Sequence, residues 1–252
     1  MPSVLRISSV LTLFVATLLP AQTSRTPVLV ELFTSEGCSS CPPADRLLAA
    51  LNAAQPIAGA DIIALEEHVD YWDGIGWKDR FSSSTFTDRQ NLYAPKLGFD
   101  SPYTPQMVID GRYQFVGNDA ARATANIAKS ATAPKSTLAL SPSTISGRKV
   151  NASVSLTGGQ PLPNGDLYAV LVQPSATTQV RGGENGGRKL EHVSIARAFS
   201  RIGRSQDLAK SPIPFSLTAP PDTDPSSLRL VVFAQLPSQG GIFAIAQSHP
   251  SH

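Results

Sequence analysis

VELFTSEGCSSCPPAD, residues 30–45, contains both cysteines of the chain, Cys38 and Cys41. The run from Val28 to Phe33 is apolar and rich in β-branched residues, broken only by Glu31, and reads as a strand central in a sheet. Thr34 to Ser40 is a polar turn with Gly37. PPADRLLAALNAA, residues 42–54, then reads as a helix. A proline suits its first turn, Asp45 lies near the positive end of its dipole, and Leu47, Leu48 and Leu51 form an apolar stripe. The cysteines therefore leave a strand and open a helix.

That position has chemical consequences. Unpaired N–H groups at a helix start favour a thiolate over a thiol, and a thiolate is the nucleophile of disulfide exchange. Cys38 is the expected exposed nucleophile and Cys41 the resolving residue. Pro42 should push Cys41 out of the α region, so that the helix starts outside the pair. Two other readings compete. A disulfide here can be a clip on the turn, although so small a ring gains little from closure entropy. A Cu(I) site can be built from Cys38, Cys41 and His68. Zinc is not expected, because no second cysteine pair exists.

Outward from this stretch, Ile62–Leu65 reads as a second strand and STFTDRQNLYAPKLG (84–98) as a helix ending near Pro95. Gln106–Ile109 and Tyr113–Val116 flank Asp110-Gly111, a strong hairpin signal. Residues 118–131 form an alanine-rich helix, and TAPKS (132–136) reads as a linker. Beyond it, short alternating strands with Gly, Pro, Asn and Asp between them imply an all-β sandwich. Residues 187–203 are expected to join that pattern as a strand.

In thioredoxin-like proteins a Cys-x-x-Cys motif lies where Cys38 and Cys41 lie, and a cis-proline immediately precedes the third strand. Thr104-Pro105 holds that place here, before QMVIDG. VELFTSEGCSSCPPAD, VDYWDGIGWKDRF (69–81), YTPQMVIDG (103–111) and GGENGGRKLEH (182–192) resemble motifs of an exported bacterial family catalogued as domain of unknown function 1223. The resemblance covers nearly the whole chain after residue 25. It implies a thioredoxin-like α/β domain at 26–133, followed by the β-sandwich domain at 134–252. It also implies that Pro105 packs beside the cysteines and that Thr104 pairs with an extended substrate. Gly37 stands where thioredoxins usually carry tryptophan.

A second cluster of polar and aromatic residues follows the second strand. Glu66, Glu67, Asp70 and Asp73 crowd around Tyr71, Trp72 and Trp77. Asp70 is the expected proton acceptor for Cys41, and Trp72 and Trp77 the expected groove wall for substrate; a capped turn sealing the core edge is the alternative. The glycine-rich stretch 180–192 reads as a long hairpin or a loop between strands; the alternative is that Arg181, Glu184 and Arg188 form an ion pair that docks the β half onto the α/β half.

A composition of 41% hydrophobic and 16% charged residues is that of an ordinary globular chain of this length. A net charge of +2, with no basic run, gives no reason to expect nucleic acid as a partner. Residues 1–21 read as a signal peptide cleaved after Ala21, because Ile7–Leu19 is too short to span a bilayer. The mature chain is expected to be periplasmic or secreted, monomeric, outside the membrane and free of cofactors. It would exchange disulfides with protein thiols and with a redox partner that recycles it.

Overall fold

The computed structural model describes residues 25–159 and 162–248. The expected signal peptide lies outside them, as do His249 and His252. Strand β1 (Thr26–Thr34) and helix α1 (Pro42–Ala54) come first, then β2 (Ala60–His68), α2 (Ser84–Leu97), β3 (Gln106–Ile109), β4 (Tyr113–Val116) and α3 (Ala120–Ala131). The rest is mainly strand: β5 (Ser136–Leu140), β6 (Thr144–Ser146), β7 (Lys149–Gly158), β8 (Asp166–Gln179), β9 (Lys189–Arg204), β10 (Ile213–Thr218), β11 (Arg229–Gln235) and β12 (Ile242–Ser248). The stretch 187–203, expected as a strand, is β9.

The strands, helices and hairpin expected in the first half have their counterparts. β1 and β2 run parallel from Thr26↔Ala60 to Thr34↔His68, and β3 lies antiparallel on the other side of β1. Asp110 and Gly111 both have positive φ, as a two-residue hairpin turn requires. α2 continues through Pro95 to Leu97 and ends on Gly98 in the left-handed region, whose N–H donates to Ala94 O.

The long-range arrangement departs from two separate domains. All twelve strands belong to one mixed sheet, in which β9 of the second half pairs in parallel with β2 of the first at Glu66↔Ile195. The cause lies in the strands. Val28, Val30 and Leu32 of β1 face α1 and α3, in a cluster with Leu48, Leu51 and Ile127. Leu29, Ile63 and Leu65 point the other way, into a cluster with Val170, Val172, Val231 and Phe233 of β8 and β11. The alternate residues of those strands, among them Leu167, Leu171, Leu230 and Val232, fill a third cluster with Phe215 and Leu217 of β10. Strands apolar on both faces need cover on both, and each half supplies it to the other.

The residues 132–136 that read as a linker are pinned. Lys135 Nζ is 2.6 Å from the buried Asp110 Oδ2, and the other oxygen of Asp110 accepts the Leu29 N–H at 2.9 Å. Glu31, the charge that interrupts β1, is fully buried against Arg89 of α2, with Nε to Oε1 at 2.6 Å. The same guanidinium donates to Gln235 on β11 and to the Tyr93 hydroxyl, which donates in turn to Glu31 Oε2 at 2.7 Å.

Because the halves share a sheet and a core, the chain should unfold as one unit. Calorimetry should show a single transition with equal calorimetric and van't Hoff enthalpies; two resolved transitions would mean that the halves fold alone. Arg89→Met leaves Glu31 buried and unpaired, and should cost about 3 kcal/mol or more in urea unfolding.

Candidate functional site

The site forms where β1 passes into α1. Cys38 and Cys41 are joined as a disulfide, and both are fully buried. The expectation of an exposed Cys38 is thereby corrected: the neighbouring Ser39 and Ser40 face solvent, but the sulfurs do not. α1 begins at Pro42, as expected. Cys41, however, remains in the α region (φ −75°, ψ −38°). Its carbonyl accepts the N–H groups of Ala44 and Asp45 at 2.8 and 3.1 Å, and these bonds hold it there against the bias imposed by the following proline.

The cover comes from the second half. Residues 180–188 link β8 to β9 and lie on the cysteine loop. The buried Asn185 donates through Nδ2 to the carbonyls of Glu36 and Cys38, each at 2.9 Å, and the Ser39 N–H donates to Glu184 Oε2 at 3.0 Å. A Cβ at Gly182 would lie 2.4 Å from Gly76 O, so only glycine allows this approach. The segment is a loop between strands, as expected, and the alternative of an ion pair is not what holds it. Instead Glu184 accepts a backbone N–H, and Arg188 braces Asn185 by donating to its Oδ1 at 3.0 Å.

Other expected site residues gather here. Thr104–Pro105 is cis. The Trp72 indole donates to Thr104 Oγ1 at 2.8 Å, and Trp72 Cβ occupies the space that a side chain on Gly37 would need. Trp72 thus fills, from another segment, the place beside the residue preceding Cys38. The Trp77 indole donates to Glu36 Oε2 at 2.8 Å. At Gly117 an added Cβ would lie within 3.2 Å of Leu32, Ala44 and Pro105, which shows Pro105 seated between β1 and the first turn of α1. Asp70 has a different task. Its carboxylate accepts the Thr87 hydroxyl at 2.6 Å and so ties the end of β2 to α2.

The carboxyl group nearest in sequence to Cys41 is Asp45, read from sequence only as a dipole partner. It is buried and accepts the Thr34 hydroxyl at 2.7 Å. Burial, and then the charge of Glu66, push its pKa up to about 7, with His192 opposing. Beneath it lies a buried network that sequence reasoning missed. His68 Nδ1 is 2.7 Å from Asp79 Oδ2, and His192 Nδ1 is 2.7 Å from Glu66 Oε1. His68 Nε2 lies 3.5 Å from Glu66 Oε1, and His192 Nε2 lies 3.4 Å from Glu36 Oε1. Burial lowers the pKa of His192, but the charge of Glu66 and hydrogen bonds to Glu36 and Glu66 outweigh it and lift the pKa to about 9. Against its own burial, Glu66 is held at about 2 by His192. His68 is likewise raised, with Asp79 overcoming burial. The available signal was EEH at 66–68, three polar residues that directly follow the apolar run Ile62–Leu65 in the same strand. With the sulfurs joined, the Cu(I) set of Cys38, Cys41 and His68 is not assembled.

The Asp45 shift sets a sign. A carboxyl whose folded pKa is raised favours folding below its unfolded value of about 4, and that contribution is lost as pH rises through about 7. Asp45→Asn keeps an acceptor for Thr34 and removes the titration. Relative to the parent protein it should gain stability between pH 5 and pH 8 in urea unfolding; parallel curves would contradict the assignment.

Comparison with known proteins agrees with one fold across both halves. A crystal structure of protein AGR_C_4864 from Agrobacterium tumefaciens, 24% identical, matches with a TM-score of 0.69 over 92% of this chain and 97% of that one. A search of curated proteins finds no match. The family profile described as "Protein of unknown function (DUF1223)" matches residues 29–235, from β1 to the end of β11, and the chain belongs to that family.

Proposed function

We propose that this chain is an exported thiol–disulfide oxidoreductase acting on protein thiols or disulfides, sheltered in its oxidised form by the 180–188 segment. The observation that carries the reading is the Cys38–Cys41 disulfide at the start of α1, followed within one turn by a buried carboxyl with a pKa near 7. In the reduced form, the Cys38 thiolate attacks a substrate disulfide and displaces one substrate thiolate. The Cys41 thiol gives up its proton, and Asp45, the buried carboxyl four residues on in the first turn of α1, is the candidate acceptor. Its sulfur then displaces the second substrate thiolate and closes the 38–41 bond. The reverse sequence oxidises a substrate dithiol. Thr104 and Trp72, bonded to each other beside Gly37, are the surface on which an extended substrate would lie. Export to the periplasm or beyond rests on residues 1–21 and suits a persistent disulfide. Among the described residues, no helix is long and apolar enough to cross a membrane.

A second reading is favoured by the burial of both sulfurs: the disulfide braces the turn that receives Asn185. The reduction potential separates the two. Equilibration in glutathione buffers should give a two-electron couple between about −270 and −120 mV, and a value below about −300 mV would mark a structural bond. Cys41→Ser should accumulate a mixed disulfide through Cys38. Asn185→Ala removes the buried bonds of the cover and should speed reduction of the disulfide by dithiothreitol about tenfold, as expected for the loss of roughly 1.4 kcal/mol from the closed state. An unchanged rate would show that the segment does not control access.

A further inference from the structure

We propose that Glu66, His68 and His192 form a buried site for one divalent transition-metal ion of the zinc type, with Asp79 and Glu36 as the carboxylates that orient the two imidazoles. The cysteines supply no ligand to it, although Asp45 feels the charges of Glu66 and His192. Each of the three residues offers one ligand atom, and these atoms lie within 4.8 Å of one another. All three residues are at most 2% exposed. His68 Nε2 is fully buried, makes no hydrogen bond, and lies 3.5 Å from Glu66 Oε1. Tetrahedral zinc with bonds of about 2.1 Å sets its ligand atoms about 3.4 Å apart, so this separation already fits an ion between them. His192 Nδ1, now 2.7 Å from the same oxygen, needs only a small ring rotation to admit the ion, which takes the place of the proton between them.

The surroundings match what a metal-bound imidazole requires. A ligating histidine donates its second N–H to a carboxylate, which fixes both the tautomer and the ring plane. His68 meets Asp79 Oδ2 at 2.7 Å through Nδ1, leaving Nε2 for the ion. His192 turns its Nε2 toward Glu36 Oε1 at 3.4 Å, and neither atom has another partner. Asp79 is itself held by the N–H groups of Glu36 and Phe81, and Glu36 by the Trp77 indole. Two neutral imidazoles and one carboxylate form the donor set of three-ligand zinc sites. Since β2 supplies Glu66 and His68 while β9 supplies His192, the ion would fasten the two halves of the sheet.

The test uses the whole chain after Ala21, refolded from denaturant with chelator present, with the chelator then removed and one equivalent of zinc or cobalt(II) offered during a second refolding. One equivalent of metal should remain after dialysis, and Tm should rise with free zinc. The cobalt spectrum should show tetrahedral visible bands without a thiolate charge-transfer band. The double variant Cys38→Ser/Cys41→Ser should bind equally well, and Asp79→Asn should bind about 10–100-fold more weakly. Failure to retain metal with an unchanged Tm, a thiolate band, or loss of binding in the double serine variant would each overturn the site. The serine variant, which abolishes any disulfide exchange, makes failure of the metal site and failure of the redox reading separately visible.

Discussion

The carboxylate of Glu66 is where the two halves of the molecule meet. One of its oxygens faces the His192 ring at 2.7 Å, and the other accepts the Val193 N–H at 2.8 Å. β2 and β9 share a ladder only at Glu66↔Ile195. So short a ladder sets register weakly, and a slip of one residue would turn every side chain of β9 to the wrong face. Glu66 fixes the register by a means that the ladder lacks: it is buried, it is charged, and it is satisfied only when both partners arrive together.

The same device recurs at the other long-range contacts. Arg89 of α2 reaches Glu31 on β1 and Gln235 on β11, and Lys135 closes on Asp110 at the turn after β3. Each pair joins segments far apart in sequence, inside surfaces whose other contacts are apolar and interchangeable. An apolar replacement of similar volume can match such a pair in stability. What the pairs add here is an arrangement in which a shifted strand would leave a charge buried and unpaired. Glu67, beside Glu31 and 3.7 Å from Arg89, shows the limit of the device. A single cation faces two carboxylates, and burial together with Glu31 drives the Glu67 carboxyl well toward its neutral form.

What could be read in advance follows from this division. Local elements were legible because propensity, capping and turn chemistry are local: the strand before Cys38, the helix opened by Pro42, the Asp110-Gly111 turn, the short apolar runs of β8 and β11. The joining of the halves was not, because it depends on pairs such as His192 and Glu66, 126 residues apart, and no pattern in either segment names the other. The anomalies themselves were visible. Glu31 stood alone in an apolar run and EEH closed a second one, yet neither segment names the partner that its charge requires. Of the candidate site, the residues near the cysteines in sequence or at the Thr104-Pro105 junction were found. Asp45 was passed over because its place at a helix start already had an explanation, and the burial of the sulfurs because their cover comes from residues 180–188.

That cover has an unusual energetic character. Residues 181–188, RGGENGGR, contain no apolar side chain. The base of the segment is closed by the Val180 N–H to Arg188 O and the Gly187 N–H to Val180 O, each at 2.9 Å, so the strands need not separate for the tip to move. Lifting the tip exchanges hydrogen bonds for water, and the apolar surface it uncovers belongs to its partners, chiefly Trp77, against which Gly182 and Gly183 pack closely. The Ser39–Glu184 bond is exposed and water replaces it readily. The two bonds from Asn185 are buried, and lifting the tip leaves the Glu36 and Cys38 carbonyls without their partner until water reaches them. Asn185, which touches the chain on both sides of Gly37, is therefore the buried polar anchor that holds this segment to the cysteine loop.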